Sequence, residues 1–374
     1  MAELPSMTLE CETVTPLFLG GADPRGAPEL RAPSLRGALR YWFRALLAEP
    51  DLFRLRQREA EVFGNQERAS PLSIRVSSAQ PPKVQTWDPR RWPPGLVYLG
   101  FAFRSVQGQL ARQAFDAGWR FQVLLSARHD DVLRQALASF WALLHVGGLG
   151  SRTRRGFGTI RIVSSPGAAL AGVPELTLTA SSPQELAAQL SKGMRAARLI
   201  VQEVTPKDQA RGDGLATPYT ALAPGAVKAT VLGHVWPSWH AALADVGQLL
   251  AEHRQPLSPT MRELANPPSG DHDYPRAGFG LPIVYYRPAD RQSRTLVATT
   301  ISRRASPLWI RPLYLAPEEY AVVLWVSHAP FWPDGSRLKI ADRTTLHGNV
   351  SLTGVEQFIA ACIARWSGHE VKVE

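Results

Sequence analysis

One stretch limits the folds open to this chain more than any other. Val146-Gly-Gly-Leu-Gly-Ser-Arg-Thr-Arg-Arg-Gly-Phe-Gly-Thr159 holds five glycines, three arginines and no acidic residue. Upstream, Asp130 to His145 repeats apolar residues at helical spacing, with Val132, Leu133, Ala136, Leu137, Phe140, Leu143 and Leu144 on one stripe. Gly147 falls where a helix C-cap is expected. Downstream, Gly158-Thr-Ile-Arg-Ile-Val163 alternates as a strand does. The order is helix, Gly-Arg loop, strand. A dinucleotide fingerprint or a P-loop runs strand, loop, helix, so that phosphate meets the positive end of a helix dipole. No Gly-Lys-Ser/Thr closes this loop either, which disfavours nucleotide hydrolysis. What remains is bare backbone carrying Arg152, Arg154 and Arg155. Glycines such as Gly148, Gly150 and Gly156 lack a Cβ, so a polyanion can approach the main-chain amides while guanidiniums hold phosphate in bidentate fashion. The plainer alternative is a surface hairpin with solvated arginines.

A second basic feature lies upstream. Pro33-Ser-Leu-Arg-Gly-Ala-Leu-Arg-Tyr-Trp-Phe-Arg-Ala-Leu-Leu47 reads as a helix with Ser34 as N-cap. Leu35, Leu39, Trp42 and Leu46 line its core stripe, and Arg36, Arg40 and Arg44 recur every fourth residue beside it. Like charges at that spacing repel by a few tenths of a kcal/mol per pair. No acid within the helix compensates, as expected of a surface that meets a polyanion; arginine stems covering apolar surface are the competing reading. The net charge of +10 favours an acidic partner, nucleic acid first. Only six of the 42 basic residues are lysine, a bias that planar phosphate contacts and a GC-rich genome would produce equally.

Cys11 and Cys362, the only cysteines, lie too far apart in sequence for a zinc knuckle or a disulfide framework, so a reducing cytoplasm is expected. The N-terminus shows no signal-peptide pattern, and no apolar run approaches the roughly 18–20 residues of a membrane span, so no membrane partner is expected.

In chain order, Met7 to Thr15 alternates as a first strand. Asp51 to Phe63 reads as a helix and Pro71 to Ser77 as a strand. A Pro-rich tip at Gln80 to Gly95 carries Trp87, Arg90, Arg91 and Trp92, and strands are expected at Leu96–Phe103 and Trp119–Ser126. Residues 7 to 163 therefore run β-α-β-β-α-β, the ferredoxin-like pattern shared with RNA-recognition domains. Ser164 to Val173 reads as a linker. Beyond it, strands are expected at Leu176–Thr179, Arg198–Glu203, Lys228–His234 and Tyr320–Val326, and helices at Trp239–His253 and Val355–Trp366. The expected fold class is α+β: two ferredoxin-like (RRM-like) βαββαβ domains with inserted loops, over 1–165 and 174–374.

Catalytic chemistry is sparse. Asp271-His272-Asp273 is the one metal-like cluster, but three adjacent side chains cannot converge on one ion in regular structure. Neither a metal nor a cofactor is expected. His145 stands as a candidate acid or base, and Asp23, in the loop after the first strand, as a candidate carboxylate. Arg303, Arg304 and Arg311 form a further basic patch.

Thr15-Pro-Leu-Phe-Leu-Gly-Gly-Ala-Asp23, Leu30-Arg-Ala-Pro-Ser-Leu-Arg-Gly-Ala-Leu-Arg-Tyr-Trp-Phe-Arg-Ala45 and Gly147-Gly-Leu-Gly…Arg-Arg-Gly-Phe-Gly158 together resemble the RAMP superfamily of type III CRISPR systems. The combination looks most like the first RAMP subunit of the type III-B (Cmr) complex, and Phe279-Gly-Leu-Pro-Ile283 and Arg304-Ala-Ser-Pro-Leu308 resemble its C-terminal half. The resemblance implies a subunit of a ribonucleoprotein, in contact with other RAMP subunits, a guide RNA and its complementary target, at the end of the assembly near the 3′ part of the guide. It implies no nuclease role. Related backbone subunits cut target RNA through an Asp after the first strand, and Asp23 falls near that place in a different context. The residues expected on RNA are Arg31, Ser34, Arg36, Arg40, Arg44, Gly148, Gly150, Arg152, Arg154, Arg155, Gly156, Arg303 and Arg304. Two alternatives stay open: an endoribonuclease using Asp23, His145 or His272, and a protein-protein scaffold.

Overall fold

The computed structural model describes residues 4–23, 25–105, 110–166, 170–203, 217–259, 263–264, 272–287, 292–330, 336–341 and 348–374. The first half runs β1 (Ser6–Thr13), α1 (Ala32–Leu47), α2 (Leu52–Phe63), β2 (Leu72–Ser77), β3 (Val84–Thr86), α3 (Pro94–Leu99), β4 (Gln113–Phe115), β5 (Arg120–Ala127), α4 (Asp130–His145) and β6 (Ile160–Ser164). Four of these strands form one antiparallel sheet in the order β2-β5-β1-β6, while β3 and β4 pair with each other. Strand β1 alternates as its sequence requires: Met7, Leu9, Cys11 and Thr13 face inward onto α1 and α4.

Helix α5 (Pro183–Glu203) carries the chain to the second half, burying Leu186, Leu190, Met194, Ala197 and Val201 against α4 and α1. Then follow β7 (Val227–Leu232), α6 (Trp239–Arg254), β8 (His272–Asp273), β9 (Ile283–Arg287), β10 (Gln292–Ala298), β11 (Leu308–Ala316), β12 (Glu319–Ser327), β13 (Leu338–Ile340), β14 (Gly348–Asn349), α7 (Thr353–Trp366) and β15 (Gly368–Glu370). The second main sheet is also antiparallel, in the order β11-β12-β7-β15. Within each main sheet, taken in chain order, the fourth strand lies beside the first, then the third, then the second. The chain is α+β. Strands β9, β10 and β13 form a separate small sheet with its own core around Ile283, Leu296, Leu338 and Ile340.

The halves share their interior. On β12, Ala321, Val323 and Trp325 join the core of the first half, while Val322, Leu324 and Val326 face α6, α7 and an aromatic group of Phe18, Trp87, Phe103 and Phe157. Covered on both faces, β12 is apolar without interruption from residue 321 to 326, as such strands are. Each large apolar side chain so buried contributes roughly 1.5–3 kcal/mol. Phe18, Trp87, Phe103 and Phe157 belong to the first half in sequence, so α6 and α7 rest on residues from the loop after β1, the segment between β3 and β4 and the Gly-Arg loop.

Three expected strands are corrected. Leu96–Phe103 is α3 followed by a 3₁₀ turn over Phe101–Phe103. Pro94 opens the helix, and Leu96, Leu99 and Phe103 recur at helical rather than alternating spacing. Arg198–Glu203 is the last turn and a half of α5, because the apolar spacing of the preceding segment continues through it. Leu176–Thr179 forms no strand. The aromatic tip at Trp87 and Trp92 packs inward, stacked at 6.1 Å with Trp92 against Trp239, and offers no open base-stacking platform. Both cysteines are buried and free, and among the described residues no helix is long and apolar enough to cross a membrane.

Candidate nucleic-acid interface

Helix α1 begins earlier than the Ser34 cap would place it. Arg31 occupies the cap position without a capping side chain, and Pro33 sits in the first turn, where its fixed φ suits the helix. Ser34 is inside that turn. Leu35, Leu39, Trp42 and Leu46 are buried as their spacing requires. The arginine stripe divides. Arg36 turns back onto the segment joining α2 to β2, donating to Ser70 Oγ at 2.7 Å, Leu72 O at 3.0 Å and Phe63 O at 3.4 Å. Burial, then the neighbouring Arg40, lowers its pKa. It clamps α1 to β2 and is not placed to grip phosphate.

Arg40 and Arg44 both donate to one carboxylate, Glu59 of α2, with Arg44 Nη1 to Oε2 at 2.9 Å. The stripe is therefore not without countercharge, contrary to its reading as an isolated helix. The acid comes from the neighbouring helix, which spacing along α1 alone cannot reveal. Glu59 is only 5 % exposed whereas Arg40 and Arg44 remain 37 % and 38 % exposed, so two half-exposed guanidiniums face outward over one buried anion. A recess of about 400 Å³ opens beside Arg40, lined also by Asn65, Gln66, Arg68 and Ser70. Arg31, at the start of the helix, lies 3.7 Å from Glu29.

The Gly-Arg loop is anchored, not bare. Leu149 N donates to Gly158 O at 3.0 Å, Ser151 N to Phe18 O at 2.9 Å, Gly158 N to Pro16 O at 3.0 Å and Thr15 Oγ1 to Gly156 O at 2.9 Å. Its glycines serve close packing. Gly158 has φ +68°, and a Cβ there would stand 1.9 Å from Leu149 O; a Cβ on Gly147 would meet the Trp42 indole at 2.3 Å. Gly156 is buried against Leu243 of α6, and Gly148 lies beside Arg311. Of the three glycines expected on RNA, only Gly150 is exposed. The loop also bridges the halves: Arg155 pairs with Ile310 of β11. Its buried Nη1 donates to Leu308 O at 3.2 Å and Arg154 O at 3.1 Å, and burial brings its pKa down to about 9. Arg155 is thus a rivet between the halves, not a surface contact.

Arg154 faces the other way. Its Nη2 donates to Tyr41 Oη of α1 at 3.2 Å, and its guanidinium lies 4.2 Å from the centroid of Trp309, a contact that contributes about 0.5–1 kcal/mol at such sites. Its Nη1 is shielded from solvent and has no hydrogen-bond partner among the described residues. Arg304 is near enough for its pKa to be lowered, after burial, by Arg154, and Nη2 of Arg304 donates to Pro330 O. Arg303 beside it is exposed. The loop, the outer face of α1 and the segment before β11 therefore meet around Tyr41 and Trp309. The sequence reading missed both aromatics and Glu59. The one signal available was that Tyr41 stands one position after Arg40 on a helix already marked as basic.

Arg311 is not part of this surface. It is 0 % exposed, donates Nη2 to Leu144 O at 2.9 Å at the C-terminal end of α4, and is brought down to about 9 by burial. A cation there complements the exposed carbonyls of the helix terminus.

The candidate catalytic residues lie apart from one another in the sequence, and each described one has its own surroundings. His145 is 4 % exposed, its ring edge-on to Trp141 at 5.0 Å. Burial, then Arg311, holds its pKa down to about 3, so it is neutral at physiological pH and shielded from solvent. Asp23 is exposed and caps its own turn, accepting from Arg25 N at 2.9 Å. His272 backbone pairs in parallel with Gly348, Asp273 accepts from Ser351 Oγ at 3.1 Å, and Asp271 lies outside the described residues. Among the described residues no cluster of His, Cys, Asp or Glu could hold a metal.

Comparison with known proteins gives a consistent picture. Residues 10–161 match the model of the RAMP superfamily. The chain is similar to the CRISPR system Cmr subunit Cmr1-1 of Pyrococcus furiosus, 26 % identical over 341 residues, which is 90 % of this chain and 92 % of that one. Cmr1-2 of the same organism is 29 % identical over 174 residues, covering 41 % of this chain and 92 % of its own. The fold is similar to the crystal structure of Pyrococcus furiosus Cmr1 in its apo form, with a TM-score of 0.65, 22 % identity and coverage of 98 % and 99 %. It is also similar to a chain of the type III-B Cmr-beta complex bound to cognate target RNA, solved by cryo-EM, with a TM-score of 0.59, 12 % identity and coverage of 96 % and 100 %.

Proposed function

We propose that this chain, a RAMP-superfamily protein, is a non-catalytic RNA-binding subunit of a type III-B CRISPR (Cmr) ribonucleoprotein effector. In that role it holds the 3′ region of the guide RNA and its paired target at the end of the assembly, against other RAMP subunits, and contributes to antiviral defence. Residues 1–165 and 174–374 are read as two ferredoxin-like units; the matching strand order of the two main sheets supports this, with α5 packed back across the first unit. The similarity to Cmr1-1 along 90 % of the chain supports the subunit role.

The observation that carries the RNA-binding reading is the meeting of Arg154, Arg304, Tyr41 and Trp309 at the helix that carries the half-exposed Arg40 and Arg44, with the exposed Arg303 next to Arg304 in the chain. A planar guanidinium held against an aromatic ring, as Arg154 is against Trp309, suits bidentate phosphate oxygens better than a flexible ammonium does. Contacts of this kind hold the sugar-phosphate backbone and leave sequence to the pairing of guide with target. The burial of His145 and the place of Asp23 in its own turn support the non-catalytic reading.

Photo-crosslinking tests this reading. The full chain is irradiated with single-stranded RNA carrying 4-thiouridine, and crosslinked peptides are identified by mass spectrometry. Crosslinks at Tyr41, Trp309 and the 150–154 segment, with intact RNA, are expected. Crosslinks confined to other surfaces would overturn the interface, and RNA cut in the absence of light would restore the nuclease alternative.

A further inference from the structure

On the flank of the Gly-Arg loop away from Tyr41 lies a second group of arginines, two from the loop and two from the C-terminal half. Arg152, in the left-handed region at φ +62°, is near enough to Arg254, the last residue of α6, and Tyr98 of α3 for both to act on its pKa. Arg254 donates Nη1 to Tyr98 Oη at 2.7 Å, and its guanidinium carbon lies 5.1 Å from the centroid of Phe279. Arg276, in the 3₁₀ turn Pro275–Phe279, lies 5.3 Å from the centroid of Tyr285 on β9. Arg155 underlies the group. Among the described residues, no carboxylate forms an ion pair with any of these four arginines; Glu263 acts on Tyr274 and is exposed.

Buried donors are left over. Nε of Arg254, Nε of Arg276 and Oη of Tyr285 are all shielded from solvent and have no partner in the protein. Burial lowers the pKa of Arg152, Arg155 and Arg254, and the neighbouring guanidiniums lower each further. Gathering positive charge out of water, with no acid paired to it and donors unused among the described residues, sustains a cost that an anion would relieve. Guanidinium forks and a phenolic hydroxyl suit an oxyanion presenting several acceptor oxygens at once.

We propose that Arg152, Arg254 and Arg276, with Tyr98 and Tyr285, form a phosphate-binding cradle between the two halves of the chain. Resting on the RNA-binding reading, this makes Arg152 and Arg154 grip an RNA strand from opposite flanks of the loop, Arg154 against Tyr41 and Trp309 and Arg152 in the cradle. The same donors would accept an internal phosphodiester, a terminal phosphate or free inorganic phosphate. It also gives the C-terminal half a direct part in binding, through α6 and the turn before β9.

The test uses the full chain as wild type, Arg152→Gln and Arg254→Lys. Arg152 donates to no protein acceptor among the described residues, so its substitution leaves the fold intact; the lysine keeps the charge of Arg254 and removes its fork. Three quantities are measured. These are affinity for single-stranded RNA ending in hydroxyls, affinity for the same RNA with terminal phosphates, and the rise in melting temperature on adding inorganic phosphate at fixed ionic strength. The expected result is a 5- to 20-fold loss of RNA affinity in both variants, with the salt slope of Arg152→Gln flatter by about 0.7. Loss with both RNAs assigns an internal phosphodiester, loss only with phosphorylated ends assigns a terminal phosphate, and loss of the melting response alone assigns free phosphate. If all three quantities match wild type, the cradle is wrong. Wild type that binds no RNA would sink the RNA-binding reading instead, and the melting response alone would then decide the cradle.

Discussion

Acidification from pH 7 to pH 5 should cost this protein stability at one identifiable side chain. Burial, then Arg311, holds the pKa of His145 down to about 3, against an ordinary value near 6.5. Below pH 6.5 the unfolded chain takes up a proton at this position, and the folded chain does not until about pH 3. Acid therefore favours the unfolded state throughout that window, and the stability present above pH 6.5 is lost as pH falls. At about 1.4 kcal/mol per pH unit, roughly 2 kcal/mol is gone by pH 5. The assay is urea unfolding of wild type and His145→Gln at both pH values. The difference between the two pH responses cancels the other titrating groups. Wild type is predicted to lose about 2 kcal/mol more than the variant on acidification. Equal losses would refute the burial argument, and with it the exclusion of His145 from acid-base chemistry. RNA binding at pH 7 should be unchanged by His145→Gln.

Gly158→Ala places a Cβ 1.9 Å from Leu149 O at φ +68°, so it should destabilise by more than about 3 kcal/mol in thermal unfolding. Gly37→Ala on α1, where a Cβ meets nothing within 4 Å, should stabilise by about 0.5–1 kcal/mol in the same assay. Glu59→Gln removes the buried anion under Arg40 and Arg44, which can still reach water. Unfolding should show a loss of about 1–2 kcal/mol while RNA affinity holds or rises, because the face gains positive charge. Arg36→Ala breaks the clamp onto Ser70 and Leu72, so chemical denaturation should show a loss of about 1–2 kcal/mol with the salt dependence of RNA binding unchanged.

Periodicity made the helices legible, and with them the first sheet. The apolar stripes of α1 and α4 and the alternation of β1 and β6 carry their own evidence, because each buries one face. Short apolar runs did not. Leu96–Phe103 fits strand or helix until Pro94 and the packing of Gly95 against α6 decide it, and Arg198–Glu203 reads as a strand only when cut from the helix before it. At the site, residue type was legible but direction was not. Arg36, Arg40 and Arg44 share one stripe, yet a hydroxyl and two carbonyls hold the first and a carboxylate on another helix holds the others. Glycine density in the 146–159 loop pointed to anion approach, whereas the glycines are spent mostly on close contacts with Trp42, Leu149 and Leu243. Arg254 and Arg276 stand alone in sequence, and only tertiary structure brings them to Arg152.

The central claim is that the face shared by α1 and the Gly-Arg loop neutralises RNA phosphates. Its most direct test is the salt dependence of single-stranded RNA binding by the full chain, for wild type and for Arg40→Ala/Arg44→Ala/Arg154→Ala. For single strands, log affinity falls on log salt by about 0.7 per phosphate neutralised. The prediction is weaker binding with a slope flatter by about two units and with the RNA intact. Unchanged affinity and slope would mean that these arginines face solvent or protein, and the surface would then be a scaffold for other subunits and not a grip on RNA.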